Sequence, residues 1–391
     1  MGRIRSALLP CLALALLIPA AAAQARSVQP RIVGGSGTPI EAYPWQAAVV
    51  VSSAKASGDA YVRQFCGGSL ITPSIVLTAA HCLYDDDPDC EATGGPEVCT
   101  PADPGGDGTK RIDPDDVDVV LGAARLSTAA LEDEHPVQDV SYQASFNPET
   151  FQNDIGYLVL SAPVELTPAV QTIDLAGDDE AAVWAPDMPV EVSGWGSTFE
   201  GGPTVDDLRA ATVPIVADSS CGSALVYGDE FDPATMVCAG WLGAGGVDTC
   251  SGDSGGPLEA PLEGGGYRLV GITSWGSGCA EPAAPGVYTR IAQAAPGGLR
   301  DDVVAKVAEL ETAYTLAPEE IVGSGGQPPV KEPHEPPPPP EVSEPMPPAT
   351  TPQPVTPAPR ARDPFAKCRK LKSKKKRKRC TRKVKRSRKL R

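Results

Sequence analysis

The stretch "VDTCSGDSGGPL", residues 247–258, holds two acids, two serines and three glycines in twelve positions. Glycines on both sides of Asp253 and Ser254 permit positive φ and a close approach of the backbone. The amides of Gly252 and Ser254 can then face one point, as donors must where an oxyanion develops. A glycine-rich turn that merely carries a hydroxyl would have the same letters, so the reading depends on what else the chain supplies.

Amide hydrolysis by a serine needs a base to take the hydroxyl proton and a buried carboxylate to orient that base. His81, His135 and His334 are the only histidines, which excludes histidine-rich metal sites and leaves few candidate bases. "LTAAHCL", residues 77–83, presents His81 at the end of an apolar strand, with Cys82 next to it. "NDIGYLVL", residues 153–160, places Asp154 just ahead of another strand. Taken singly, each has a structural reading: a histidine beside a cysteine is commonly architectural, and one acid among 50 means little. It is the order His81, Asp154, Ser254 around a glycine turn that favours nucleophilic catalysis.

The surrounding chain is strongly segmented. Residues 1–25 set Arg3 and Arg5 before an apolar run that ends in small residues, the pattern of a signal peptide, and residues 26–31 separate it from the region that follows. From 32 to 322, short runs such as "SIVLTAA", "DVDVVLG" and "YRLVGITSW" alternate with Gly, Pro, Asp and Ser clusters, which points to an all-β sandwich or barrel set. "GGLRDDVVAKVAELETAY" differs, because Val303, Val304, Val307 and Leu310 recur at helical spacing. Residues 323–359 contain 15 prolines and few large apolar side chains, the composition of an extended linker. Residues 360–391 hold 19 Lys and Arg against one acid, a basic tail expected to be disordered.

Seven motifs give this layout a relative. "RIVGG" (31–35), "TAAHC" (78–82), "NDI" (153–155), "SGWG" (193–196), "GDSGGP" (252–257), "SWGSGC" (274–279) and "PGVY" (285–288) occur in the order found in chymotrypsin-like serine proteases. The region from Ile32 to about Tyr314 resembles that family, and its trypsin-like subgroup in particular. The resemblance implies two six-stranded antiparallel β-barrels with the active site between them and a C-terminal helix. It also implies that Ser254 is the nucleophile, His81 the base, Asp154 its orienting acid, and Gly252 and Ser254 the oxyanion hole.

Further roles follow from the same resemblance. Asp248 stands at the base of the specificity pocket, with Gly276 and Gly286 in its walls and the Ser274, Trp275 and Gly276 backbone as the edge that pairs with substrate. Cleavage after Arg or Lys is therefore expected. By the resemblance residues 26–31 are a short activation propeptide: cutting after Arg31 would free the ammonium of Ile32 to pair with Asp253, making the uncut chain a zymogen. Eleven cysteines in an exported chain read as disulfides. The family pattern pairs Cys66 with Cys82, Cys221 with Cys238, and Cys250 with Cys279; Cys90 and Cys99 pair most simply with each other. Both positions of one family disulfide are lost together, to Val190 and Ala260. No cofactor is required. The calcium loop of trypsin-like enzymes has Ala123 at an expected ligand position, although Glu132, Asp133 and Glu134 could still supply oxygens.

Charge separates body from tail: residues 32–322 carry 10 basic against 45 acidic residues. The tail is expected to hold the enzyme on an anionic envelope polymer or membrane surface. Folding back onto the acidic body and binding nucleic acid are the weaker alternatives, and Cys368 with Cys380 could close a small loop. The expected protein is a secreted, monomeric endopeptidase; its rival is a non-catalytic binding protein on a protease fold.

Overall fold

The computed structural model describes residues 32–84, 111–292 and 298–314. The leader, Arg31, Cys90 and Cys99, the proline-rich segment and the basic tail with Cys368 and Cys380 lie outside the described residues.

Strands β1 (Ser36–Gly37), β2 (Gln46–Val51), β3 (Gln64–Thr72), β4 (Ile75–Thr78), β5 (Val117–Val120), β6 (Glu134–Tyr142) and β7 (Gly156–Leu160) come first. They are followed by β8 (Asp174–Leu175), β9 (Pro189–Gly194), β10 (Arg209–Val216), β11 (Met236–Ala239), β12 (Pro257–Pro261), β13 (Tyr267–Trp275) and β14 (Gly286–Arg290). The order β2-β3-β4-β7-β6-β5 closes one six-stranded barrel, since β5 pairs back onto β2. The order β10-β11-β14-β13-β12-β9 closes the second through the β9–β10 pairing, with β1 and β8 as short additions. This is the paired-barrel fold that the resemblance implies. Closure removes exposed edges, and β-branched residues such as Val49, Ile75 and Val76 pack in one core cluster while Val50, on the other face of β2, packs with Trp195 and Leu208.

Helix α3, Leu299–Ala313, follows the short helices α1 (Ala60–Arg63) and α2 (Asp218–Cys221). Leu299, Val303, Val307 and Leu310 lie buried in the same cluster as Val49, Leu70 and Val76 of the first barrel. Each such side chain contributes roughly 1.5–3 kcal/mol of burial, which fastens the end of the folded region to the barrel where it began. Val190 and Ala260 are fully buried in the second barrel's core, so packing replaces a bridge at that point.

A polar seam joins the barrels. Trp45 Nε1 donates to the buried Glu259 carboxylate, Ser193 Oγ donates to Gln46 Oε1 (2.6 Å), and Tyr43 Oη donates to Glu191 Oε2 (2.6 Å). Tyr267 Oη also reaches Glu191 at 3.1 Å. Burial and the neighbouring carboxylates hold both tyrosines far above the usual phenol range, so they stay donors at any physiological pH.

Candidate active site

His81 follows β4 in a single 3₁₀ turn, Ala80–Cys82, and Asp154 precedes β7, so the first barrel supplies both. His81 donates to Asp154 twice, from its backbone N to Oδ1 (2.8 Å) and from ring Nδ1 to Oδ2 (2.8 Å). The carboxylate is fully buried, so it fixes the tautomer with the proton on Nδ1 and leaves Nε2 as an acceptor. Phe151 packs edge-on against the imidazole at 5.5 Å. Phe151 and Asn153 both adopt positive φ, 58° and 56°, which folds the chain tightly enough to turn Asp154 inward. Conformations of this kind cost roughly 1–3 kcal/mol each and persist only where the surroundings enforce them.

The second barrel completes the arrangement. Ser274 Oγ donates to Asp154 Oδ2 at 2.5 Å, and Thr289 Oγ1 donates to the Asp154 carbonyl at 2.9 Å. Ser254 lies in the loop ahead of β12, in a turn closed by Asp253 N to Cys250 O (3.0 Å) and Gly256 N to Asp253 O (2.9 Å). Its carbonyl accepts from Gly67 N at 2.7 Å, which docks the turn on the first barrel. Gly255 (φ 81°) has no room for a Cβ beside Thr78 and Gly67. Cys82 Sγ, bonded to Cys66, sits 3.8 Å from both His81 Nε2 and the Ser254 carbonyl oxygen. The same sulfur thus neighbours the His81 ring and the Ser254 backbone. The amides of Gly252 and Ser254 have no acceptor among the described residues.

A cavity of about 170 Å³ opens beside Ser254, lined among others by Asp248, Ser274, Trp275, Gly276 and Gly286. The Cys250–Cys279 bridge ties its walls together, and Cys221–Cys238 lies in the neighbouring cluster with Tyr227. Asp248 accepts from Thr249 N (2.9 Å) and Ala280 N (3.1 Å), yet burial pushes its carboxyl up to about 7. Gly286 also lines the cavity, and a Cβ there would come 2.6 Å from Asp248 Oδ1, so a side chain at this position would crowd the carboxylate. Gly276 does leave open space, with nothing closer than 3.4 Å to a hypothetical Cβ.

Asp253, fully buried, accepts from Gly196 N (2.7 Å) and Cys250 N (2.9 Å). No cation faces it among the described residues, and burial raises its carboxyl to about 7. Gly194 and Gly196 of "SGWG" press against this carboxylate so closely that neither position admits a Cβ. Ile32 is already buried in the second barrel's core, and Val33 O accepts from Asp248 N at 3.1 Å.

Three features lie beyond the sequence reading: the Ser274 hydroxyl on Asp154, the collar of Gly194 and Gly196, and Gln64. Gln64 Nε2 reaches from the first barrel to the Gly252 carbonyl at 2.8 Å and so steadies the serine turn. As for calcium, Glu134 gives both oxygens to Arg63 (2.9 and 2.6 Å) and Asp133 caps Ala130 N, which commits two of the three candidate ligands to protein partners.

A buried carboxylate holding a histidine on one barrel and a glycine-wrapped serine on the other, beside a deep cavity, define a serine peptidase of the chymotrypsin-like class. The trypsin family profile matches residues 32–296. A trypsin from Saccharopolyspora erythraea is 37% identical over 260 residues, covering 66% of this chain and 93% of that protein. A trypsin from Phaedon cochleariae is 34% identical over 263 residues, 66% of this chain and 84% of its own. Serine protease 56 of Homo sapiens is 35% identical over 272 residues, 67% of this chain, but only 37% of that longer protein is spanned. The chain belongs to the trypsin family.

Proposed function

We propose that the protein is an exported endopeptidase that cuts after Arg and Lys, with Ser254, His81 and Asp154 as its catalytic residues. The observation that carries the proposal is the double hold of Asp154 on His81, which leaves Nε2 as the ring's acceptor on the side where Cys82 meets Ser254. His81 Nε2 takes the Ser254 proton as Oγ attacks the scissile carbonyl. The oxyanion then accepts from Gly252 N–H and Ser254 N–H, donors worth roughly 10²- to 10³-fold each in turnover. The imidazolium, stabilised by Asp154, protonates the departing amine, and water repeats the sequence to release the acyl group. Asp248 supports the choice of substrate, since among the described residues no cation pairs with its buried carboxylate, and a guanidinium or ammonium in the cavity would provide one. Three described disulfides suit an oxidising, extracellular setting. The test is hydrolysis of an Arg-anilide by the chain cut after Arg31: activity is expected in the parent and none above background in Ser254→Ala of unchanged melting temperature.

Activation is part of the proposal. An acid whose folded pKa lies above its unfolded value is held best when protonated, so stability falls as pH rises between the two. For Asp253 that window runs from about 3.8 to about 7. A freed Ile32 ammonium would pair with the carboxylate and recover up to about 4 kcal/mol at neutral pH. Ile32 is buried before cleavage, so the gain is electrostatic rather than hydrophobic. In a Ser254→Ala background, the chain cut after Arg31 is expected to melt higher than the uncut chain at pH 8 and at nearly the same temperature at pH 4. Equal melting at pH 8 would remove the ion pair from the account.

A further inference from the structure

The serine turn presents two amides, and the bonds that aim them come unequally from backbone and side chain. A trans peptide points its C=O and N–H in opposite directions, so a bond at one end fixes the other. Ser197 N donates to Ser251 O at 2.8 Å, which sets the plane whose far side is Gly252 N–H. Gly256 N donates to Asp253 O at 2.9 Å, which does the same for Ser254 N–H. The peptide between them is held at both ends: Asp253 N donates to Cys250 O (3.0 Å), and Gly252 O accepts from Gln64 Nε2 (2.8 Å). The first three of these bonds join backbone to backbone. Only the fourth depends on a side chain, that of Gln64.

The local fold accounts for how that side chain arrives. Strand β3 pairs with β2 through Val49 opposite Cys66 and Val50 opposite Gln64, which leaves Phe65 as an extra residue. A bulge of this kind bends the strand and re-aims its side chains. Gln64 is buried where β3 begins, and besides Gly252 O its Nε2 donates to Cys66 O at 3.1 Å. Its Oε1 is buried with no hydrogen-bond partner among the described residues. An unpaired buried acceptor destabilises the fold, and an apolar side chain of the same length would fill the space without that cost. The amide is therefore accounted for by what its nitrogen holds. Gly252 itself resists nothing: at φ 96° and without a Cβ, it lets either adjoining peptide rotate unless hydrogen bonds prevent it. A larger residue could not stiffen the turn, because a Cβ there would meet Thr204 Cγ2 at 2.7 Å.

We propose that Gln64 is a positioning residue for the oxyanion hole: by gripping the Gly252 carbonyl it keeps Gly252 N–H aimed at the point where charge develops on the scissile oxygen. This inference rests on the hydrolytic role proposed for Ser254 and the two amides. Strand β3 also holds Ser254 O, through Gly67 N at 2.7 Å, so it grips the turn on both sides of Asp253. The barrel that carries His81 and Asp154 thereby sets the oxyanion donors of the other barrel as well. A misplacement of about 1 Å in such a site can cost roughly 100-fold in rate, which gives the grip its value.

The test compares the full-length parent, cut after Arg31, with Gln64→Met, which keeps the side chain's length and removes its donor. Each is assayed for hydrolysis of an Arg-anilide, inhibition by a peptidyl Arg-aldehyde and binding of an aromatic amidine. Ser254 Oγ adds to the aldehyde carbon, its proton passes to His81, and the former carbonyl oxygen becomes an oxyanion, so this inhibitor senses the donors. The amidine fills only the cavity of Asp248. In Gln64→Met, kcat is expected to fall about 10- to 100-fold with KM nearly unchanged, and the aldehyde Ki to rise by a similar factor. The amidine Kd should stay within about twofold of the parent's, since the cavity is untouched. A kcat close to the parent's overturns the inference, and so does an amidine Kd that rises as far as the aldehyde Ki, which marks a general loss of the site. Gln64→Glu, with an acceptor facing Gly252 O at pH 8, decides the matter where the methionine variant does not fold: it should lose at least as much kcat, and parental kcat overturns the inference. A parent that binds the amidine but leaves the anilide intact overturns the hydrolytic reading and this inference together. An active parent matched by both variants overturns this inference alone.

Discussion

Asp154→Asn is expected to lower kcat by about 10⁴-fold with little change in KM, the size of effect seen when this carboxylate is neutralised in other serine peptidases. The geometry gives the reason. Three donors converge on the carboxylate: the His81 backbone N–H, His81 Nδ1–H and the Ser274 hydroxyl. An amide offers one oxygen and one NH₂ in the same space. With its oxygen toward Nδ1, the NH₂ opposes the His81 backbone N–H. With the group reversed, the NH₂ opposes Nδ1–H, and the ring moves its proton to Nε2, where it can no longer take one from Ser254. Steady-state kinetics on an Arg-anilide, with melting temperature as a control on folding, decide the matter. A variant within tenfold of the parent kcat would show that His81 does not depend on this acid.

Asp248→Ser is expected to cut kcat/KM for Arg and Lys peptides by about 10²- to 10⁴-fold, since stranding one charge of a buried pair costs roughly 3–5 kcal/mol. Peptides with small uncharged residues at the cleavage position should lose far less. The pH dependence carries a second signature. Below about pH 7 the empty enzyme holds Asp248 protonated, so a cation entering the cavity must expel a proton. The Kd of an aromatic amidine should therefore rise by up to tenfold per pH unit below 7 and flatten above it, with no such slope in the serine variant. A parent profile flat from pH 5 to 8 would remove Asp248 as the cation's partner.

Much of this was readable in the chain, and the unread parts share a physical cause. The helix followed from Val303, Val307 and Leu310 because helical period is a local signal, and all three are buried. The serine turn was legible because glycines cluster where backbone conformation demands them, as at Gly252 with φ 96°. Ser274 was read as a backbone edge, yet its hydroxyl binds Asp154. A register irregularity between Thr273 and Trp275 interrupts β13 there, and bulges of this kind re-aim side chains in a way no residue pattern announces. "PVEVSG" alternates as a strand with one wet face, and the arrival of the other barrel half-buries its Glu191 against Tyr43 and fully buries Glu259 of β12 against Trp45. Gln64 gave no signal at all, because its partner, Gly252, lies 188 positions away.

That seam bears on how such an enzyme can change over time. A barrel with its own closed ladder looks like a unit that could be exchanged, duplicated or grafted onto a relative's partner. Here each barrel brings half of a set of buried polar bonds: Glu191, Ser193 and Glu259 from one side, Tyr43, Trp45 and Gln46 from the other. A graft that kept every catalytic residue but met apolar side chains at those places would cost the fully buried Glu259 its Trp45 donor and the half-buried Glu191 its Tyr43 donor, at about 1–3 kcal/mol for each bond lost. The halves are thus matched as a lock is to one key, and recombination at the midpoint of the chain should yield folded enzyme only from parents that agree at these six positions.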